Sequence, residues 1–174
     1  FYRAQGIDVG FDPEFPVQDT EGNKCRLKIK NLNNLIHFEI ADAGISPTHW
    51  QASTFPEPFR SKITVIHDGI DTQTVAPNPE VRLTFNQNLT LTKADEVITF
   101  VNRNLEPYRG YHIFMRALPV ILRRRPKARV LIVGGDDVSY GSHPRNASNY
   151  RELYAAELGD TVAWDRVHFV GRVP

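Results

Sequence analysis

The sequence predicts an α/β protein with parallel sheets, and three observations carry that prediction. Residues 95–174 alternate strand, helix, strand, helix, strand, which is the rhythm of a parallel α/β unit. Earlier, Ser61-Lys-Ile-Thr-Val-Ile66 alternates and is β-branched, following helix-patterned residues. The bulk numbers are those of an ordinary folded chain: 174 residues, 41% apolar and 24% charged.

The elements read as follows. Residues 1–30 are rich in Gly, Pro and Asp, and Asp8–Pro16 reads as an irregular surface segment. From Lys28 to Ala41, Ile29, Leu32, Leu35, Ile36 and Ile40 fall on one helical face. Ala43–Ser46 is a short buried strand, and Pro47–Thr54 a short helix with Pro47 in its first turn. Ser61–Ile66 is a strand that turns at Gly69. Residues 72–94 are polar and unpatterned, and are expected to link residues 1–71 to residues 95–174. Beyond them come a strand at Val97–Val101, a helix at Tyr111–Arg124 and a strand at Arg129–Val133, then a helix at Ser148–Leu158 and a strand at Val167–Val170. In the first of these helices Phe114, Ala117, Leu118, Ile121 and Leu122 form the inner stripe, and Pro119 should kink or break it. Right-handed crossovers would bring Arg103, Gly134 and Gly171 to one edge.

Composition excludes several classes. A net charge of +1 gives no field for nucleic acid. No apolar run approaches the ~20 residues that span a bilayer. No secretion signal is visible, and the single Cys25 excludes an internal disulfide framework, so a cytoplasmic setting is expected. The triplets at Asn88 and Asn146 match a glycosylation pattern that arises often by chance. The chain begins at Phe1 and stops at Pro174 just after a strand, so both ends are expected to be cuts through a longer protein.

Chemistry concentrates at Val101–Gly110. Arg103 closes a strand and Arg109 opens a helix, six residues apart. A guanidinium is a fixed fork of donors suited to phosphate oxygens, a strand end is rigid, and a helix start adds its dipole. Gly110 has no Cβ to keep a ligand away. From these residues alone, a pair of solvated surface arginines competes with a phosphate clamp. Gly134 and Gly135 fit a backbone-approaching ligand or a plain tight turn. Asp136-Asp137 is read as a solvated loop pair, and no histidine spacing points to a metal. The Arg123–Arg129 run complements a helix C-terminus that Pro126 stops. Nucleic acid and an anionic membrane surface are its other readings. Trp50, Phe55, Phe59 and Phe114 are expected to pack cores, and Phe11 and Phe15 to cover the linker.

Four segments in order resemble the retaining glycosyltransferases of family 4, which have the GT-B fold of two Rossmann-like domains. Asn102-Arg103, a five-residue loop and Arg109-Gly110 are similar to that family's Gly-Arg…Lys-Gly, with Asn102 and Arg109 as departures. Lys62–Asp71 resembles its strand with Asn-Gly-x-Asp, Asp68 standing for Asn. Arg129–Gly135 resembles its glycine-ended second donor-domain strand, and Val167–Val173 the strand whose following backbone contacts the nucleobase.

The resemblance implies an incomplete GT-B protein. Residues 1–71 would end the acceptor-side domain, 72–94 would be the linker, and 95–174 would be the first half of the nucleotide-sugar-binding domain. It implies a hexosyltransferase-type activity, transferring sugar with retention from a UDP- or GDP-linked donor to an acceptor hydroxyl. Arg103 and Arg109 would stabilise the departing diphosphate, and Gly110, Gly134, Gly135 and Val173 would line the donor. It implies no metal or other cofactor, a glycan or lipid-linked acceptor, and peripheral contact with a membrane. The family's glycine loop, histidine and glutamate pair are not in this sequence, so the piece is expected to be inactive alone. A non-catalytic nucleotide- or phosphate-binding module, or a GT-B epimerase or phosphorylase, are the alternatives.

Overall fold

The computed structural model describes residues 12–15, 20–85, 89–139 and 141–173. Phe11, the Asn88 triplet's first residue and Pro174 lie outside that set. The chain divides into two units, Phe1–Ala76 and Pro77–Pro174.

In the first unit, α1 (Glu21–Ile40) starts seven residues before the first one expected to be helical. Thr20 caps it, its hydroxyl accepting from the Asn23 N–H at 3.2 Å. The first two turns hold only Cys25 and Leu27 as apolar residues, too few to show a helical period. Asn31 is buried and Leu35 and Phe38 are half-buried on one face, whereas Ile29, Leu32, Ile36 and Ile40 are exposed. Of the apolar stripe that predicted the helix, only Leu35 is therefore half-buried, and the other four residues are exposed. The strands β1 (Gly44–Ser46) and β2 (Ile63–Val65) pair in parallel. Between them lie the short helices α2 (His49–Ser53) and α3 (Glu57–Arg60). Phe38 packs on Phe55 and Phe59, with ring centroids at 4.8 and 5.3 Å. Lys62 Nζ donates to the carbonyls of Phe38 and Ala41 and ties the end of α1 to β2. Trp50, expected in the core, is 59% exposed.

The second unit opens inside the expected linker. There β3 (Arg82–Phe85) and β4 (Leu89–Thr92) form an antiparallel ribbon. Leu91 is its one buried hydrophobic residue among the described side chains, although Leu83, Phe85, Leu89 and Leu91 alternate with polar residues along the two strands. The main sheet is wholly parallel, in the order β5 (Val97–Asn104), β6 (Arg129–Gly135), β7 (Val167–Gly171). The crossovers are α4 (Tyr111–Arg124) and α5 (Tyr150–Leu158), which pack against each other. Asn149 caps α5, accepting from the Glu152 N–H at 2.8 Å. The core holds Val130 and Ile132 of β6, Tyr111, Met115, Leu118 and Leu122 of α4, and Tyr154 of α5.

Two expectations about α4 change. It runs unbroken through Pro119. A proline costs one backbone donor, and the fully buried stripe around it holds the helix together. That stripe is Tyr111, Met115, Leu118 and Leu122, while Phe114, Ala117 and Ile121 flank it half-buried. At the far end, Arg166 donates to the carbonyls of Leu122, Arg125 and Pro126. The Leu122 carbonyl needs such a donor because the residue four positions on, Pro126, has no N–H, whereas the Arg125 carbonyl also accepts from the Ala128 N–H.

A candidate anion site at the carboxyl edge of the parallel sheet

All three strands of the main sheet end on one edge. Both outer strands carry one extra residue there. Between the pairs Val101↔Val133 and Asn104↔Gly135, β5 uses one residue more than β6. Between Ile132↔Phe169 and Val133↔Gly171, β7 does the same. Bulges of this kind re-aim side chains at the end of a ladder. Arg103 sits in the first bulge and is exposed, with no hydrogen bond or ion pair among the described residues.

Arg109 ends a 3-10 turn, Pro107–Arg109, that leads into α4. Its Nε lies 3.8 Å from Glu106 Oε1. Glu106 is only 1% exposed, and its other oxygen accepts the Ser139 N–H at 3.0 Å. A buried carboxylate must keep such partners. It therefore restrains both Arg109 and the loop after β6. Gly110 joins the turn to the helix at φ 73, a conformation that suits glycine. Among the described residues no side chain caps the first turn of α4, and none stands within 4 Å of where a Gly110 Cβ would be. The helix start is thus open toward any anion that approaches it.

The two glycines that end β6 have different neighbours. A Cβ on Gly134 would lie 2.8 Å from the Asn102 carbonyl and 2.9 Å from Leu105. Gly134 is therefore required by the close approach of β5. A Cβ on Gly135 would lie 2.5 Å from Arg172 Nε and 2.9 Å from Asn104 Oδ1. The space over Gly135 belongs to the chain's own guanidinium. Asn104, 3% exposed, uses both ends of its amide: Nδ2 donates to Ser139 Oγ at 2.7 Å, and Oδ1 accepts from Arg172 Nη2 at 2.8 Å. Val173 follows Arg172 and is exposed.

The structure thus gathers Arg103, Arg109, Gly110, Gly134 and Gly135 at one edge, with Gly171 beside them. It adds Asn104, Glu106, Ser139 and Arg172, which the sequence reading passed over. The pairing of Glu106 with Arg109 had one local signal, an acid three residues before a base at a helix start. Asp136 and Asp137 diverge: Asp136 pairs with Arg151 at 3.5 Å, and Asp137 accepts from the Val138 N–H at 2.8 Å. Among the described residues no group of three acids, histidines or cysteines could hold a metal, and no helix is long and apolar enough to cross a membrane.

Residues 1–75 match the protein family described as the Glycosyl transferase family 4 group. Two curated relatives are similar to the chain. One is the GDP-mannose-dependent alpha-(1-6)-phosphatidylinositol monomannoside mannosyltransferase of Mycolicibacterium smegmatis, 30% identical over 97 residues, 55% of this chain and 25% of that protein. The other is the D-inositol 3-phosphate glycosyltransferase of Kineococcus radiotolerans, 33% identical over 106 residues, 59% of this chain and 23% of that protein. The matched stretch is about a quarter of the length of each relative. The family 4 match falls within the first unit, and the charged strand edge lies in the second.

Proposed function

We propose that this chain carries the donor-diphosphate side of a glycosyltransferase, which moves a hexose from a nucleotide-diphosphate sugar to an acceptor hydroxyl with retention. The observation that carries the reading is the pairing of an exposed, uncommitted Arg103 on a strand-end bulge with Arg109, which a buried carboxylate steadies beside an open helix start. Charge grows on the diphosphate as the sugar departs. Cations fixed beforehand at that position lower the transition state more than the ground state. Glu106 serves this by limiting where Arg109 can swing. The family match and the relatives' names support a sugar donor. One relative's name includes GDP-mannose, and both include inositol, so a GDP-linked donor and an inositol-bearing acceptor are the first to try. A phosphatidylinositol-based acceptor would also bring the protein to a membrane surface.

Titration of the complete protein with GDP and UDP tests the reading. Arg103→Ala and Arg109→Ala should each weaken the preferred nucleotide by roughly tenfold or more, as expected for a lost charge-assisted bond. Unchanged affinity in both variants would reject the clamp and favour a module that binds no diphosphate here.

A further inference from the structure

We propose that Arg172 is a third guanidinium of the same crevice and binds a phosphoryl oxygen of the nucleoside diphosphate. The inference rests on the donor-site reading above and extends it to the third strand. Its grounds are geometric. Gly171, at φ 78, turns the chain as β7 ends, and Arg172 lies back across the end of β6 over Gly135. A guanidinium has five donors, and Arg172 makes one hydrogen bond among the described residues, to Asn104. It has no carboxylate partner among them and is exposed. A solvated arginine that merely decorates a surface has no such mount. Here a buried amide is committed to holding the side chain, and the residue beneath it is a glycine that leaves room for it.

The mount also ties the three cations together. Asn104 follows Arg103 directly and holds Arg172 through Oδ1. Through Nδ2 it holds Ser139, whose N–H donates to Glu106, the partner of Arg109. One polar chain therefore connects Arg172 to Arg109, and Arg103 adjoins it as the residue before Asn104. Fixed donors from the first helix turn and from two strand ends suit an anion with several oxygens, which a diphosphate has and a neutral sugar lacks.

The test titrates the complete protein with UDP, GDP, inorganic diphosphate and uridine. It compares Arg172→Ala, Arg172→Lys, Asn104→Ala and the double variant with Arg103→Ala and Arg109→Ala. Arg172→Ala should weaken the nucleotides and inorganic diphosphate by roughly tenfold and leave uridine unchanged. Arg172→Lys should recover most of the diphosphate affinity. Asn104→Ala should give a smaller loss than Arg172→Ala, and the Asn104/Arg172 double variant should exceed Arg172→Ala only by what Asn104 contributes to Arg109 through Ser139 and Glu106. If Arg103→Ala and Arg109→Ala weaken diphosphate and Arg172→Ala does not, the third cation is rejected and the donor-site reading stands. If Arg103→Ala and Arg109→Ala change nothing, the donor-site reading itself falls. An equal loss for uridine in Arg172→Ala would overturn the phosphate assignment in favour of a contact to the nucleoside.

Discussion

Adding one methyl group at either glycine that ends β6 separates two kinds of close approach. At Gly134 the new carbon would sit 2.8 Å from a backbone carbonyl and 2.9 Å from Leu105, a residue 2% exposed. Neither can retreat without moving β5. Overpacking of this kind costs about 1–3 kcal/mol. The backbone there, at φ 156, adds about 1–3 kcal/mol for a side-chain-bearing residue. Gly134→Ala should therefore lose roughly 3 kcal/mol or more. In a unit of about 100 residues that lowers Tm by roughly 12–24 °C. At Gly135 the nearest atom is instead Arg172 Nε, part of an exposed side chain held by a single hydrogen bond to Asn104. The chain can swing it aside, so Gly135→Ala should cost about 1–2 kcal/mol, with the buried Asn104 accounting for most of it. Urea unfolding followed by far-ultraviolet circular dichroism gives both numbers. A loss below about 1 kcal/mol at Gly134, or a larger loss at Gly135 than at Gly134, would refute this assignment of neighbours.

Other expectations concern single groups. The Tyr111 hydroxyl is buried with no hydrogen-bond partner among the described residues, and burial pushes its pKa well up. Tyr111→Phe should leave stability unchanged or raise it by a few tenths of a kcal/mol, and a loss above about 1 kcal/mol would reveal a partner for the hydroxyl. Arg116 meets Glu157 of α5 through two bonds, at 2.6 and 2.9 Å, and holds its carboxyl below the usual range. Both groups are more than a third exposed, so Glu157→Gln should cost only about 0.5 kcal/mol and the difference should fade in high salt. His168 has its pKa lowered, first by burial and then by the Arg129 charge, and its Nε2 is buried without a hydrogen bond among the described residues. The unfolded chain takes up that proton first as pH falls below about 6.5, so His168 adds to the loss of stability on acidification. His168→Leu should flatten the stability profile between about pH 7 and 5, and an unchanged slope would show that the imidazole is solvated. Glu106→Gln keeps an acceptor for the Ser139 N–H but removes the charge facing Arg109, so it should weaken diphosphate binding more than it weakens the fold. A variant that binds normally yet melts early would make Glu106 purely structural.

How much of this was legible depended on how local the signal was. The ends of α4 could be read because its apolar period, the preceding Gly110 and the following basic run with Pro126 all lie within a few residues. The β3–β4 ribbon was not: Leu83, Phe85, Leu89 and Leu91 alternate with polar residues, but runs of four are short and lie in a polar stretch. The start of α1 was missed because its first turns hold few apolar residues, and of the stripe that signalled the helix only Leu35 is half-buried. In the site, Arg103 and Arg109 stand out as charges at a strand-to-helix turn. Asn104, Ser139 and Arg172 could not be found that way. Their bonds join residues 35 and 68 positions apart, and the bulges that align them appear only once three strands are in register.

The contact of Arg166 with the end of α4 also bears on the order in which the second unit assembles. Leu122 and Arg166 are 44 positions apart, yet that one guanidinium donates twice to the Leu122 carbonyl in the last turn of the helix. Until the chain approaching β7 arrives, that carbonyl lacks this donor, and the C-terminal turn of α4 should fray. Completion of the helix and arrival of the third strand then become a single late event, and the closure of that long loop should set the pace of folding.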